Sequence, residues 1–112
     1  MKSPIAPEEF SVTVRQTGHS RVLRLRGELD AFTRPELTTA LAEQNGTGHT
    51  VVIDLTELTF IDSGGIHTLF SACTHNGTRV VCPPGNIRRV LDIVSFSQAA
   101  PLHETLEDVL AP

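Results

Sequence analysis

The hydrophobic periodicity of the chain changes several times, and the order of these changes constrains the fold more than any other feature. Phe10 to Thr17 and Arg21 to Leu29 each alternate apolar with polar side chains. A period of two is typical of a strand with one solvent-facing side. The sequence Gly18-His19-Ser20 between the two segments is typical of a turn. Together they predict an antiparallel hairpin.

A first helix is predicted directly after this hairpin. Thr33 and Glu36 have the spacing of a capping box, in which hydroxyl and carboxylate each satisfy a free backbone amide. Phe32 precedes this cap and is expected to pack on Leu37 as a hydrophobic staple. Residues 45–48 contain two glycines that accept positive φ, so they are expected to end the helix. The apolar stripe of this helix consists of Leu37, Ala40 and Leu41.

The rest of the chain alternates strands with helices. Thr50 to Leu55 contains Val51-Val52-Ile53, an unbroken apolar run typical of a strand covered on both faces. Residues 56–62 are predicted to form a loop. A helix begins near Ser63, since apolar side chains follow it at i, i+3, i+4 and i+7 spacing. The later predicted elements are a strand at 78–82, a helix from Ile87 to Val94, a short strand or loop at 96–102, and a terminal helix after Thr105.

This order of elements places the chain in the α/β class. It predicts a mixed sheet of four to five strands with about four helices packed against it. A length of 112 residues with 39% hydrophobic side chains and a net charge of −4 describes a single domain and argues against disorder. We expect this domain to span residues 1–112, with residues 1–9 as an extended leader.

Charge and composition exclude several functional classes. A pI near 5.6 and the lack of any Lys/Arg cluster argue against nucleic-acid binding. Met1 to Pro7 carries one cation without an apolar core, and no run approaches the length of a membrane span. The expected compartment is therefore the cytoplasm, without membrane contact. Cys73 and Cys82 lack the spacing of a metal site or a disulfide framework, so no metal or cofactor is predicted.

The segment Asp62-Ser63-Gly64-Gly65 carries the strongest candidate chemistry. Ser63 lies between a buried strand and a helix, where free amides and the helix dipole favour an anion. Gly64 and Gly65 are expected to leave that flank free of side chains, which lets another active site approach. Two interpretations stay open. Either Ser63 carries a phosphate, or Asp62 or Ser63 only caps the helix.

Taken together, these motifs resemble the STAS domains of bacterial anti-sigma factor antagonists. The resemblance covers about Phe10 to Leu110. It is carried by Gly27-Glu28-Leu29-Asp30, Val52-Ile53-Asp54-Leu55, Phe60-Ile61-Asp62-Ser63-Gly64-Gly65-Ile66 and Ile87-Arg88-Arg89-Val90-Leu91. It implies the STAS fold and a regulatory protein that is not an enzyme.

The resemblance also implies a switch. The unmodified protein would bind an anti-sigma factor that is also a serine kinase, which frees the sigma factor. Phosphorylation of Ser63 would end this complex, and a metal-dependent serine phosphatase would restore it. Asp30 matches the family's acidic residue beside the phosphorylation loop. The implied partner-binding residues are Asp30, Asp62, Ser63, Gly64, Gly65, Ile66 and His67.

Two positions depart from the family pattern. Gly64 stands where Ser, Thr or Ala is common, and His67 stands where a small residue often occurs. His67 follows Ser63 by four residues on the same side of the helix, so it either pairs with a phosphate or is simply solvated. Two other functions stay open: a non-switching STAS subunit of a signalling or transport assembly, and a small enzyme that uses Ser63 with His67 as its base.

Overall fold

The computed structural model describes residues 9–110, and the predicted leader at 1–9 lies almost wholly outside them. Within that range the chain forms a five-stranded mixed sheet and five helices, which confirms the predicted class. The strands are β1 (Ser11–Thr17), β2 (Ser20–Leu29), β3 (Thr50–Ile61), β4 (Arg79–Val81) and β5 (Leu102–His103). The helices are α1 (Arg34–Gln44), α2 (Ser63–Asn76), α3 (Asn86–Ile93), α4 (Phe96–Ala99) and α5 (Leu106–Leu110).

The strands lie in the sheet in their chain order. β1 and β2 form the predicted antiparallel hairpin, with Gly18 at φ 61° in the turn. The pairs β2 with β3, β3 with β4 and β4 with β5 are all parallel. Because parallel strands end at the same edge of a sheet, the segments that follow β2 and β3 are neighbours.

The core has two parts, one on each face of the sheet. The larger part packs the apolar stripes of α1, α2 and α3 against the sheet. Its fully buried members include Leu23, Leu25, Leu29, Leu37, Ile53, Leu69, Val80 and Leu91. The smaller part lies against α5 and contains Val22, Val52, Val81 and Val109. Val52 and Ile53 therefore face opposite sides, which confirms that this strand is covered on both faces.

The predicted loop at 56–62 is wrong, because β3 continues to Ile61. Its pairing with β2 is irregular between Arg24 and Arg26 and again between Gly27 and Glu28. At both places β3 contributes one residue more than β2, which is the arrangement of a β-bulge. The buried side chains Leu55, Leu58 and Ile61 are consequently three residues apart. A search for a period of two misses a strand of this kind.

Asp54 stabilises the first of these irregularities. Asp54 is 2% exposed, and its carboxylate accepts hydrogen bonds from the Thr56 amide (2.9 Å) and the Thr56 hydroxyl (2.5 Å). Arg24 Nε lies 3.4 Å from the other carboxylate oxygen. A buried carboxylate needs such partners. The side chain therefore has a structural hydrogen-bonding role.

The chain after α3 differs partly from the prediction. Residues 96–99 form the short helix α4, and the strand that follows has only two residues. Phe96 is buried and packs edge-on against Phe70, with 6.3 Å between the ring centroids. This aromatic contact supplies the tertiary anchor for a helix too short to form alone. The terminal helix α5 is confirmed, and the Thr105 hydroxyl accepts a hydrogen bond from the Asp108 amide (3.2 Å).

Candidate functional site

Two segments at one edge of the sheet hold the candidate residues. Leu29 and Ile61 are paired at the ends of β2 and β3, and the Asp62 amide donates a hydrogen bond to the Leu29 carbonyl (3.1 Å). We call residues 30–33 and 62–65 the carboxyl edge. The structure thus brings the Asp30 segment beside the Ser63 segment.

Asp62, and not Ser63, caps α2. Its backbone is extended (φ −96°, ψ 178°), and its carboxylate accepts a hydrogen bond from the Gly65 amide at 2.7 Å. The Ile66 amide donates to the Asp62 carbonyl (3.0 Å) and closes the first helical turn. An acidic cap also complements the positive end of the helix dipole. The predicted start of α2 is confirmed.

Ser63 is the first residue of α2, and its side chain is exposed. Its hydroxyl makes no hydrogen bond with any residue in the range 9–110. Since Asp62 performs the capping, nothing in the described fold requires the Ser63 hydroxyl. The hydroxyl is available to an incoming group.

The two glycines after Ser63 allow close approach by the chain's own residues. A Cβ atom on Gly65 would lie 2.9 Å from Ile61 Cγ1 and 3.0 Å from Leu29 Cγ, so this glycine seats α2 on the sheet. A Cβ atom on Gly64 would lie 2.3 Å from Nη1 of Arg34. The expectation that both glycines leave an open flank is therefore wrong, because core side chains and a guanidinium occupy that space.

The capping box predicted for α1 does not form. The Thr33 hydroxyl donates to the Glu28 carbonyl (2.7 Å) and accepts from the Asp30 amide (2.9 Å), and no side chain caps the helix. Asp30 Oδ1 instead accepts from the Phe32 and Thr33 amides, at 2.9 and 3.1 Å. This Asx turn competes successfully with the capping geometry. Asp30 and Thr33 thereby hold the first segment of the carboxyl edge in place.

The predicted packing of Phe32 on Leu37 is also wrong. Phe32 is 94% exposed, because the Asx turn directs this residue outward. Leu37 is fully buried in the core. A phenyl ring so exposed buries almost none of its apolar area within the described chain. Phe32 and Ser63 are consequently both open to solvent at the carboxyl edge.

Ile66 and His67 continue α2 away from the carboxyl edge. Ile66 is partly buried against the core, which fits the predicted stripe. His67 is exposed, and its ring makes no hydrogen bond with the described residues, Ser63 included. The structure therefore gives no contact of the kind that joins a serine nucleophile to its base.

Sequence reasoning missed Arg34, the first residue of α1. Its partly buried guanidinium lies against Gly64, in the second segment of the carboxyl edge. A cation in the first turn of a helix opposes the helix dipole. That unfavourable position is the signal in the sequence that marks this residue.

The remaining chemistry of the described residues is limited. Residues 9–110 contain no group of three or more His, Cys, Asp or Glu side chains that could hold a metal ion. None of the helices in that range is long and apolar enough to cross a membrane. Cys73 and Cys82 are free thiols, and burial raises the pKa of each to about 11. Both thiols are therefore protonated near neutral pH.

The chain is similar to STAS domains and to several anti-sigma factor antagonists. Residues 11–109 match the STAS domain. The anti-sigma-F factor antagonist RsfB of Mycobacterium tuberculosis is 31% identical over 110 residues, which cover 94% of this chain and 90% of that protein. The crystal structure of an anti-sigma factor antagonist from Mycobacterium paratuberculosis is similar, with a TM-score of 0.85, 27% identity and 94% of each chain covered. The anti-sigma factor antagonist SpoIIAA, in its unphosphorylated form, shares the fold with a TM-score of 0.65 and 21% identity over 89% of this chain and 93% of that chain.

Proposed function

This chain belongs to the STAS domain family, and on that premise we propose that it is an anti-sigma factor antagonist switched by phosphorylation of Ser63. One observation carries the proposal above all others. The Ser63 hydroxyl is exposed and unbonded at the start of α2, while Asp62 does the capping. A kinase can therefore modify Ser63 without disturbing the fold.

In the unmodified state, the carboxyl edge and the adjoining turn of α2 bind an anti-sigma factor that is itself a serine kinase. Asp30, Asp62, Ser63 and Gly64 form the contact surface, and His67 borders it. Gly65 is buried and contributes by seating α2 on the sheet. Ile66 is partly buried and supports the same turn. The exposed ring of Phe32 adds an apolar contact of the kind enriched at protein interfaces.

Phosphoryl transfer then ends the complex. The Ser63 oxygen attacks the γ-phosphorus of ATP, the bond from phosphorus to the ADP oxygen breaks, and the hydroxyl proton passes to a base of the kinase. The product adds about −1.5 to −2 charge beside Asp62 and near Asp30. Burial of that charge against the partner is opposed by repulsion and by desolvation. A penalty of about 2.7 kcal/mol lowers the affinity about a hundredfold.

The rest of the cycle needs no catalytic group from this chain. A metal-dependent serine phosphatase hydrolyses the phosphoserine and returns the binding-competent form. The chain acts in the cytoplasm as a kinase substrate and binding module, without a cofactor. A single STAS domain suffices for this role.

The test uses the cognate anti-sigma factor kinase with ATP. Ser63→Ala is expected to abolish phosphorylation, as measured by intact mass, and to bind the kinase as tightly as the unaltered protein. Ser63→Asp is expected to weaken binding tenfold or more in a titration. Ser97→Asp is the matched control, since it adds the same charge at an exposed serine of α4.

Two results would contradict the proposal. One is full phosphorylation of Ser63→Ala, which would move the acceptor elsewhere. The other is equal loss of binding in Ser63→Asp and Ser97→Asp, which would show a general effect of charge. Stable co-purification with transport components, with no mass change on incubation with kinase and ATP, would favour a non-switching subunit.

A further inference from the structure

Arg34 and Gly64 are fitted to each other at the carboxyl edge. A Cβ atom on Gly64 would lie 2.3 Å from Nη1, 2.4 Å from Cζ and 2.8 Å from Nη2 of Arg34. These distances are far below van der Waals contact, so the guanidinium occupies space that any residue other than glycine would fill. The positive charge of Arg34, at the start of α1, therefore lies against the first turn of α2.

The guanidinium has no anionic partner in the described part of the chain. Arg34 makes no ion pair there, and its Nε is buried without a hydrogen-bond partner. Its position is also unfavourable for a cation. Arg34 is the first residue of α1 and rests on the first turn of α2, so the positive ends of two helix dipoles meet at its charge.

The neighbouring carboxylates are already bonded elsewhere. Asp30 Oδ1 accepts hydrogen bonds from the Phe32 and Thr33 amides, and Asp62 Oδ1 accepts one from the Gly65 amide. Neither carboxylate lies within ion-pair distance of Arg34. In the unmodified protein the half-buried Arg34 guanidinium thus lies beside Gly64 with no anionic partner among the described residues and with its Nε unpaired. A group with several anionic oxygens would satisfy it.

We propose that Arg34 binds and orients the phosphoryl group of phosphorylated Ser63 within this protein, and that Gly64 provides the space in which it does so. Since Gly64 follows Ser63 directly, and consecutive Cα atoms are about 3.8 Å apart, the guanidinium lies within about 8 Å of the Ser63 Cα. An extended phosphoseryl side chain and one hydrogen bond to the guanidinium span that gap. This inference rests on the proposed function, because it assigns a residue to its modified state.

The test measures the second pKa of the phosphate by ³¹P NMR, on protein with phosphoserine encoded genetically at position 63. This second pKa is about 6 for an unperturbed phosphoserine. Arg34 is expected to hold it about 0.5–1 pH unit lower than in Arg34→Gln, because a cation favours the dianion. Gly64→Ala is expected to give the same rise as Arg34→Gln, since its methyl group displaces the guanidinium.

Arg79→Gln is the matched control. This substitution removes the same charge, but Arg79 begins β4 at the opposite edge of the sheet. The charged and titratable groups near the phosphate, Asp30, Asp62 and His67, are present in every variant and cancel in the comparison. An unchanged second pKa in both Arg34→Gln and Gly64→Ala would overturn the inference. Because the phosphoserine is encoded, that result is independent of whether a kinase modifies Ser63.

Discussion

The two consecutive glycines of α2 give opposite expectations for the same substitution. Gly64 and Gly65 both lie in the first helical turn, so alanine brings a similar gain in helix propensity at each position. Their surroundings differ. The methyl group at 64 meets the far end of the long Arg34 side chain, whereas the methyl group at 65 meets the buried side chains of Leu29 and Ile61.

The size of the difference follows from the distances. Carbon atoms in ordinary contact are about 3.5–4.0 Å apart, and the new Cβ at 65 would lie 2.9 Å from Ile61 Cγ1. Forcing extra volume into a packed core costs about 1–3 kcal/mol. The gain from replacing glycine in a helix is about 1 kcal/mol at most. We therefore expect Gly65→Ala to be less stable than Gly64→Ala by about 1–3 kcal/mol.

Urea unfolding followed by circular dichroism measures this difference. The chain contains no Trp and no Tyr, so intrinsic fluorescence is unsuitable. Each kcal/mol should shift the thermal midpoint by about 4 °C in a domain of this size. Equal urea midpoints for the two variants, or a higher urea midpoint for Gly65→Ala, would refute the expected difference in packing. The free energies of unfolding are compared at equal m-values, so that the denatured states match.

Three further outcomes are expected. Asp54→Asn should lower the free energy of unfolding by about 1–3 kcal/mol in urea titrations, because it weakens the charged hydrogen bonds at the β3 irregularity, and an unchanged midpoint would contradict this. Phe32→Ala should change the free energy of unfolding by no more than about 0.5 kcal/mol, since the ring is 94% exposed, whereas loss of a core ring would cost several times more. Cys73 and Cys82 should react with iodoacetamide at pH 8 about a hundredfold more slowly in the folded than in the unfolded protein, because burial raises each pKa from 9.0 to about 11. Equally fast labelling of the folded and unfolded states would contradict this. The thiols of the unfolded protein lose their protons at lower pH than those of the folded protein, so the free energy of unfolding should also fall as the pH rises above about 9.

The sequence predicts the elements whose periodicity is set by burial. Alternation in β2 and the helical stripe of α2 correspond to observed faces, because one side of each element meets the core, whereas β1 forms as predicted but leaves Val14 exposed on the edge strand. The second half of β3 is missed because its two register irregularities change the spacing of buried residues from two to three. Such bulges depend on how two strands pair, which a single segment does not encode.

In the candidate site, too, features set within one segment are predicted and contacts between segments are missed. The start of α2 near Ser63 and a cap at Asp62 or Ser63 are predicted from their order along the chain, since both are local features, whereas the open flank expected at Gly64 and Gly65 is wrong. The hydrophobic staple at Phe32 and the capping box at Thr33 are predicted wrongly, because the Asp30 carboxylate accepts hydrogen bonds from the amides of both residues. Arg34 is missed because its contact with Gly64 joins residues thirty positions apart in sequence.

The attachment of Asp62 affects how the edge responds to a visiting protein. Its amide is tied to β2 through the Leu29 carbonyl, and its side chain is tied to α2 through the Gly65 amide. With backbone and side chain both anchored, the residue before Ser63 has little freedom to swing. Under the proposed function, partner binding at this edge should follow rigid docking kinetics: a single association phase, without a slow rearrangement after encounter.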